Sequence, residues 1–123
     1  MDAVQTSFIS STYWTERIGP TAAIATIKKM LEKDVPNHLN RIGSMIENGW
    51  KNLAEEHGLN ISLMPPNALA SFNFNYDNAL ELKTLLTQEM LMKGYLANTN
   101  VYVSYSHTED IVSKFLENIS LEC

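Results

Sequence analysis

Cysteine is almost missing from this sequence. The single example, Cys123, is the last residue, so no intrachain disulfide can form, and the expected compartment is a reducing one, the cytoplasm by default. Long apolar runs are missing as well: no window approaches the roughly 18 consecutive apolar residues of a membrane span. The opening Met1-Asp2-Ala3-Val4-Gln5 has neither the basic nor the apolar region of a secretory signal. A soluble, unsecreted chain without a membrane partner is the expectation. Basic side chains are scarce too, with 9 Lys and Arg against 14 Asp and Glu and a formal charge of −5, so the chain repels phosphate backbones and nucleic acid is not expected as a partner. With only 5 Gly and 4 Pro, collagen-like and low-complexity structure are excluded.

What is present is a globular composition, 45% hydrophobic and 19% charged, in 123 residues, enough for one domain and one core. Residues 1–19 show no lasting period and read as an irregular segment closed by Gly19-Pro20, a helix-start signal. From Thr21, Ile24, Ile27 and Leu31 recur on one helical face until Pro36 interrupts. Leu39, Ile42, Ile46, Trp50 and Leu53 then mark a longer helix ending at Gly58, a residue suited to the left-handed position after a helix. Gly43 and Gly49 inside it each cost about 1 kcal/mol against Ala, which predicts close packing there on a neighbouring element.

Ile61-Ser62-Leu63-Met64 reads as a strand stopped by Pro65-Pro66, and Ala70, Phe72, Phe74 and Tyr76 alternate with polar residues as its antiparallel partner. Asn78 and Glu81 resemble a capping box opening a helix with Leu82, Leu85, Leu86 and Met90, terminated by Gly94. Val101, Val103 and Tyr105 alternate as a further strand, and Thr108 caps a last helix carrying Ile111, Phe115 and Ile119. The fold class that follows is α+β: a two-layer sandwich of a small antiparallel or mixed sheet against helices.

Candidate chemistry is thin. His38, His57 and His107 sit on separate elements without a metal-ligand spacing, so no metal site is expected. Ser104-Tyr105-Ser106-His107 lacks the glycine-flanked elbow of an activated nucleophile and reads as a strand running into a cap. The carboxylates lie on helix surfaces and first turns, giving no catalytic pair. Met90 and Met92 read as core filler. The segment Ser10 to Pro20 is different, because several hydroxyls and Arg17 precede a helix N-terminus, where unpaired N–H groups can hold an anion.

At this segment a family resemblance enters. Phe8-Ile9-Ser10-Ser11-Thr12-Tyr13-Trp14-Thr15-Glu16-Arg17-Ile18-Gly19-Pro20-Thr21-Ala22-Ala23 resembles the stretch leading into the small C-terminal domain of class III pyridoxal-phosphate (PLP) aminotransferases, glutamate-1-semialdehyde aminomutase-like members above all. Leu82 to Leu96 and Tyr105-Ser106-His107-Thr108-Glu109-Asp110-Ile111 extend it in family order over nearly the whole chain. The resemblance implies that residues 1–19 come from the preceding large domain and 20–123 form the small α+β domain. It also implies a cofactor-phosphate contact from a Thr five residues before a Pro, made to the neighbouring subunit of a homodimer. Thr15 holds that position. Glu16, Arg17 and Ile18 depart from the small residues usual there, which leaves Thr12 or Ser11 as alternatives after a shift of register.

In such enzymes a lysine forms a Schiff base with the cofactor and an acidic residue pairs with the pyridinium nitrogen. The resemblance places both in the large domain, upstream of this chain. Lys28, Lys29, Lys33, Lys51, Lys83, Lys93 and Lys114 fall on small-domain helices or their ends and read as solvated. No catalytic residue is therefore expected here. The chain is expected to be inactive alone and to need the missing large domain or a second subunit; in the complete enzyme it would help to close the substrate entrance. The rival reading is a non-catalytic interaction or regulatory module using apolar surface such as Phe8, Ile9, Tyr13 and Trp14. A third reading is an anion-binding protein using the Thr15 region.

Overall fold

The computed structural model describes residues 16–120, within two compact units that meet in sequence between Asp34 and Val35. The first unit contributes one described helix, α1 (Ile18–Glu32). It begins two residues before the expected start, so Pro20 occupies the third helical position, where its missing N–H is one that no helix residue would have paired. Arg17 stands at the N-cap without a side-chain bond; Thr21 Oγ1 donates back to the Arg17 carbonyl at 2.6 Å. The apolar stripe of Ile24, Ile27 and Leu31 is where the periodicity puts it, yet none of α1 is buried.

The second unit is α+β. In chain order it contains α2 (Val35–His57), β1 (Ile61–Met64), β2 (Leu69–Phe74), α3 (Ala79–Met92), β3 (Asn100–Tyr102) and α4 (Glu109–Ser120). The strands form one antiparallel sheet in the order β1-β2-β3, with Leu63 opposite Phe72 and Ala70 opposite Val101. Alternation along β2 sends Ala70 and Phe72 into the core and Ser71 and Asn73 to the other side. Ile42, Ile46 and Trp50 of α2, Met90 of α3, and Val112, Phe115 and Ile119 of α4 gather on the Ala70 and Phe72 side. The opposite face carries Ser62, Met64, Ser71, Asn73, Asn100 and Tyr102, without a formal charge.

Trp50 is the centre of the core: its ring lies edge-on to Phe72 at 4.9 Å and to Phe115 at 6.5 Å, separations favoured by aromatic quadrupoles. The two glycines of α2 are contact points. A Cβ on Gly43 would overlap the Asn67 carbonyl, and one on Gly49 would come within 2.6 Å of Leu116 Cδ2, so close approach is the reason both positions carry no side chain. Gly58 and Gly94 follow α2 and α3 with φ of +66° and +85°, the left-handed region that terminates helices.

Several expectations need correction. Asn78 precedes α3 without any side-chain cap bond, so no capping box forms. Met92 is 71% exposed, and only Met90 fills the core. β3 stops at Tyr102; Val103 is buried beyond it, and Tyr105 is half exposed in the turn that follows. In α4 the inward residue is Val112, with Ile111 turned outward. The Pro65–Pro66 peptide is cis and links β1 to the turn before β2.

Candidate functional site

The phosphate contacts suggested for Thr15, Thr12 and Ser11 lie outside the described residues. What is described is the helix start just after them. There the Glu16 carboxylate accepts the backbone N–H groups of both Ile18 and Gly19, the latter at 2.9 Å. A carboxylate thus already holds the donors that an external anion would use, and its charge complements the positive end of the helix dipole. The anion-holding role proposed for the helix end is not supported at these two amides.

The histidines do not assemble a metal centre: among the described residues no group of three or more His, Cys, Asp and Glu could hold one. His38 and His107 do meet, through structure. His38 Nε2 lies 3.0 Å from the His107 carbonyl, and the His38 ring tilts against Tyr105 at 4.9 Å. His107 in turn closes a tight turn, its N–H donating to the Ser104 carbonyl at 3.1 Å and its Nδ1 accepting from the Ser104 N–H at 3.2 Å. Neither side chain points to an activated serine, and the capping role is visible where Thr108 Oγ1 accepts from Ile111 N–H at 3.4 Å.

The cavity the sequence did not reveal lies beside β3. A cleft of about 420 Å³ opens between β3, the segment after Gly94 and the start of α4. Ile46, Val112 and Phe115 line it from the core, while Asn98, Asn100 and His107 contribute polar groups. Its volume falls in the range of small-molecule sites. Among the described residues no Lys, Arg, Asp or Glu lines it. The signal in the sequence was weak, a run Ala97-Asn98-Thr99-Asn100 that reads as a plain turn.

One carboxylate is electrostatically unusual. Burial pushes the Glu47 carboxyl above its ordinary range, and its Oε1, like Trp50 Nε1 one turn further on, has no hydrogen-bond partner among the described residues. Both lie on α2, and neither is among the residues that line the cleft.

No family model matches the sequence, and comparison with curated proteins finds no match. Among solved structures, the fold is similar to part of the Sphingopyxis sp. MTA144 FumI protein in its PLP internal aldimine form. The TM-score is 0.83 at 23% identity, over 98% of this chain and 30% of that one. The chain therefore has the fold of a segment of a PLP-dependent protein and spans less than a third of its length.

The described residues do not by themselves make a holder for PLP. The α1 N-terminus is occupied by Glu16, and the cleft beside β3 has neither a lysine for a Schiff base nor a cation for a phosphate. Lys93 reaches the Asn118 carbonyl at 2.7 Å, and Lys51 pairs on the surface with Glu55 at 3.8 Å.

Proposed function

We propose that this chain is the small C-terminal domain of a PLP-dependent class III aminotransferase or aminomutase, similar to the glutamate-1-semialdehyde aminomutases, whose complete form transfers an amino group on an amino acid or semialdehyde. Alone it turns nothing over. The observation that carries this reading is the fold likeness over 98% of the chain to a segment of a protein solved with PLP attached. The sequence resemblance from Phe8 to Ala23, from Leu82 to Leu96 and from Tyr105 to Ile111 supports it independently. The domain's part is positional: it would help to close the substrate entrance, while Thr15, or Thr12 after a register shift, would supply a phosphate contact to the partner subunit. The groups that react belong to polypeptide beyond this chain, in a large domain or a second subunit.

The test mixes PLP with the purified chain and records the absorbance spectrum before and after borohydride reduction, followed by peptide mapping. The expected result is no stable modification of any one lysine. A stable, single-lysine band would overturn the inactivity. Reading the genomic frame upstream of Met1 tests the parentage: a lysine-bearing strand and turn supports it, and an unrelated sequence opposes it.

A second reading, a non-catalytic interaction module, is favoured by one observation. Ile24, Ile27 and Leu31 form a continuous apolar stripe on α1 and are 56%, 57% and 73% exposed. A helix of 15 residues is marginal in water without a packed face, so a partner surface is the natural cover. Light scattering coupled to size exclusion distinguishes the readings: a monomer that binds no hydrophobic dye removes this one.

A further inference from the structure

We propose that the free edge of β3 and the cleft beside it dock an extended peptide from a separate polypeptide. The peptide adds to the sheet as a fourth, antiparallel strand and sets apolar side chains at alternate positions into the cleft. The proposal goes beyond the aminotransferase reading and does not rest on it, because strand addition to this chain alone is measurable without cofactor or turnover.

The ladder between β2 and β3 decides which main-chain groups are free, because residue pairs that exchange hydrogen bonds alternate with pairs that do not. Phe72 N–H donates to the Thr99 carbonyl at 3.0 Å and Val103 N–H to the Ala68 carbonyl at 3.1 Å, so the bonded set also includes Ala70 with Val101. Asn100 and Tyr102 therefore turn their N–H and C=O groups away from β2, toward the edge of the sheet. Both ends of that edge are closed from within. Asn98 Oδ1 accepts the Asn100 N–H at 2.8 Å. His107 takes both main-chain groups of Ser104: its Nδ1 accepts the N–H at 3.2 Å and its own N–H donates to the carbonyl at 3.1 Å. Between these closures the Asn100 carbonyl and the N–H and C=O of Tyr102 have no partner among the described residues. β3 carries neither a charge nor a proline, two of the usual devices that blunt an edge.

One donor and two acceptors, set two residues apart on an extended backbone, match the edge of another strand. One of its residues exchanges both bonds with Tyr102, and a second, two residues on, donates to the Asn100 carbonyl. The pleat then assigns its side chains. The residue opposite Tyr102 shares the uncharged outer face, and its two neighbours point with Val101 toward Ile46, Val112 and Phe115, into the cleft of about 420 Å³. Among the described residues no charged side chain lines that cleft, so the inserted pair is apolar. At the opposite edge of the sheet the space beside Ile61 of β1 is about 40 Å³, near the share of a single water and too small for a side chain. A second copy of this chain would bring β3 itself, whose one core-side residue, Val101, already lines its own cleft and leaves nothing to fill either.

The experiment titrates the peptide acetyl-Lys-Thr-Val-Thr-Val-Thr-Lys-amide into the ¹⁵N-labelled full chain by NMR. Saturable shifts are expected in β3 and the first turns of α4, with slowed hydrogen exchange at the Tyr102 N–H. N-methylation of the peptide's threonines, whose N–H groups would face β3, should weaken binding about tenfold or more, the effect of a net hydrogen bond. N-methylation of the valines, whose N–H groups would point away, should change it less. In the chain, Tyr102→Pro removes a donor that serves no bond among the described residues, at an edge position where proline is tolerated. Ile111→Glu places a charge in the cleft lining at a residue 48% exposed. Each should weaken the peptide about tenfold; if Tyr102→Pro disturbs the fold, Ile111→Glu, on another element, decides alone. Absence of saturable shifts, shifts centred elsewhere, equal binding of the threonine-methylated peptide, or an Ile111→Glu variant that binds as well as the wild type would each overturn the proposal. So would a peptide-free chain that light scattering shows to be dimeric with the Tyr102 N–H already protected, which gives the edge to a second copy.

Discussion

Gly43 of α2 lies against the backbone carbonyl of Asn67, in the turn after Pro66, so closely that a methyl group has no room. The Asn67 side chain ties the same turn to α2, donating to Ser44 Oγ. The obstacle at Gly43 is backbone, which cannot rotate away, so Gly43→Ala should destabilise by about 2–3 kcal/mol despite the roughly 1 kcal/mol that Ala gains in helix propensity. At Gly49 the obstacle is the end of the Leu116 side chain, which can change rotamer, so Gly49→Ala should stay within about 1 kcal/mol of wild type. Gly58→Ala meets nothing within 4 Å but must hold φ at +66°, a cost of about 1 kcal/mol. Urea denaturation of the three variants checks the order, and a tolerated Gly43→Ala would remove the close-packing account of α2.

Met90 and Met92 are two residues apart on α3 and face opposite ways, the first 0% and the second 71% exposed. Met90→Ala should cost about 2–5 kcal/mol, since it removes core volume between α3 and the sheet. Met92→Ala should fall within about 0.5 kcal/mol of wild type. Thermal unfolding of the pair separates core filler from surface residue directly.

The elements were legible because their periods were strong: Ile42, Ile46 and Trp50 repeat on a helix, Ala70, Phe72 and Phe74 alternate on a strand, and Gly58 and Gly94 end helices with positive φ as expected. Orientation within an element was less legible. In α4 both Ile111 and Val112 share a helical face with Phe115 and Ile119, and only the position of α2, which α4 meets through Leu116 and Gly49, decides that Val112 faces inward. Polar bonding was the least legible. Asn78 matches a cap by type and makes no cap bond, whereas Glu16, read only as an interruption between Thr15 and Pro20, accepts two helix amides. The cleft beside β3 arises where Ala97-Asn98-Thr99-Asn100 meets α4, a juxtaposition no local pattern encodes.

Glu47 provides a pH test. Burial raises its carboxyl above the ordinary value in the folded chain, so the folded state binds the proton more tightly than the unfolded state does. The stability linked to this group is fully present below the unfolded carboxyl pKa, near 4.3. It is lost as pH rises through the raised folded value. Glu47→Gln keeps the shape and removes the charge, so it should be more stable than wild type at neutral pH. The difference should shrink to nothing as the pH falls below the ordinary carboxylate range. Denaturation midpoints of both proteins across that interval decide the point, and a Gln variant that is less stable at neutral pH would mean that the carboxylate has a partner when charged.

Glu16 gives the last prediction. Its two oxygens accept the N–H groups of Ile18 and Gly19, and Arg17, at the N-cap itself, contributes no side-chain bond. Removing the carboxylate leaves both amides without a protein partner and takes a negative charge from the positive end of α1, so Glu16→Ala should cost the helix about 1 kcal/mol. α1 has no buried residues to compensate, so the loss should appear locally, as faster amide hydrogen exchange from Thr21 to Ala25, with exchange in α2 to α4 unchanged. The same substitution opens the helix end to outside anions, and inorganic phosphate should slow that exchange in Glu16→Ala while leaving the wild type unaffected. Phosphate protection of the wild-type helix would show instead that Glu16 yields its place to an anion, and would return the α1 N-terminus to the list of candidate phosphate contacts beside Thr15.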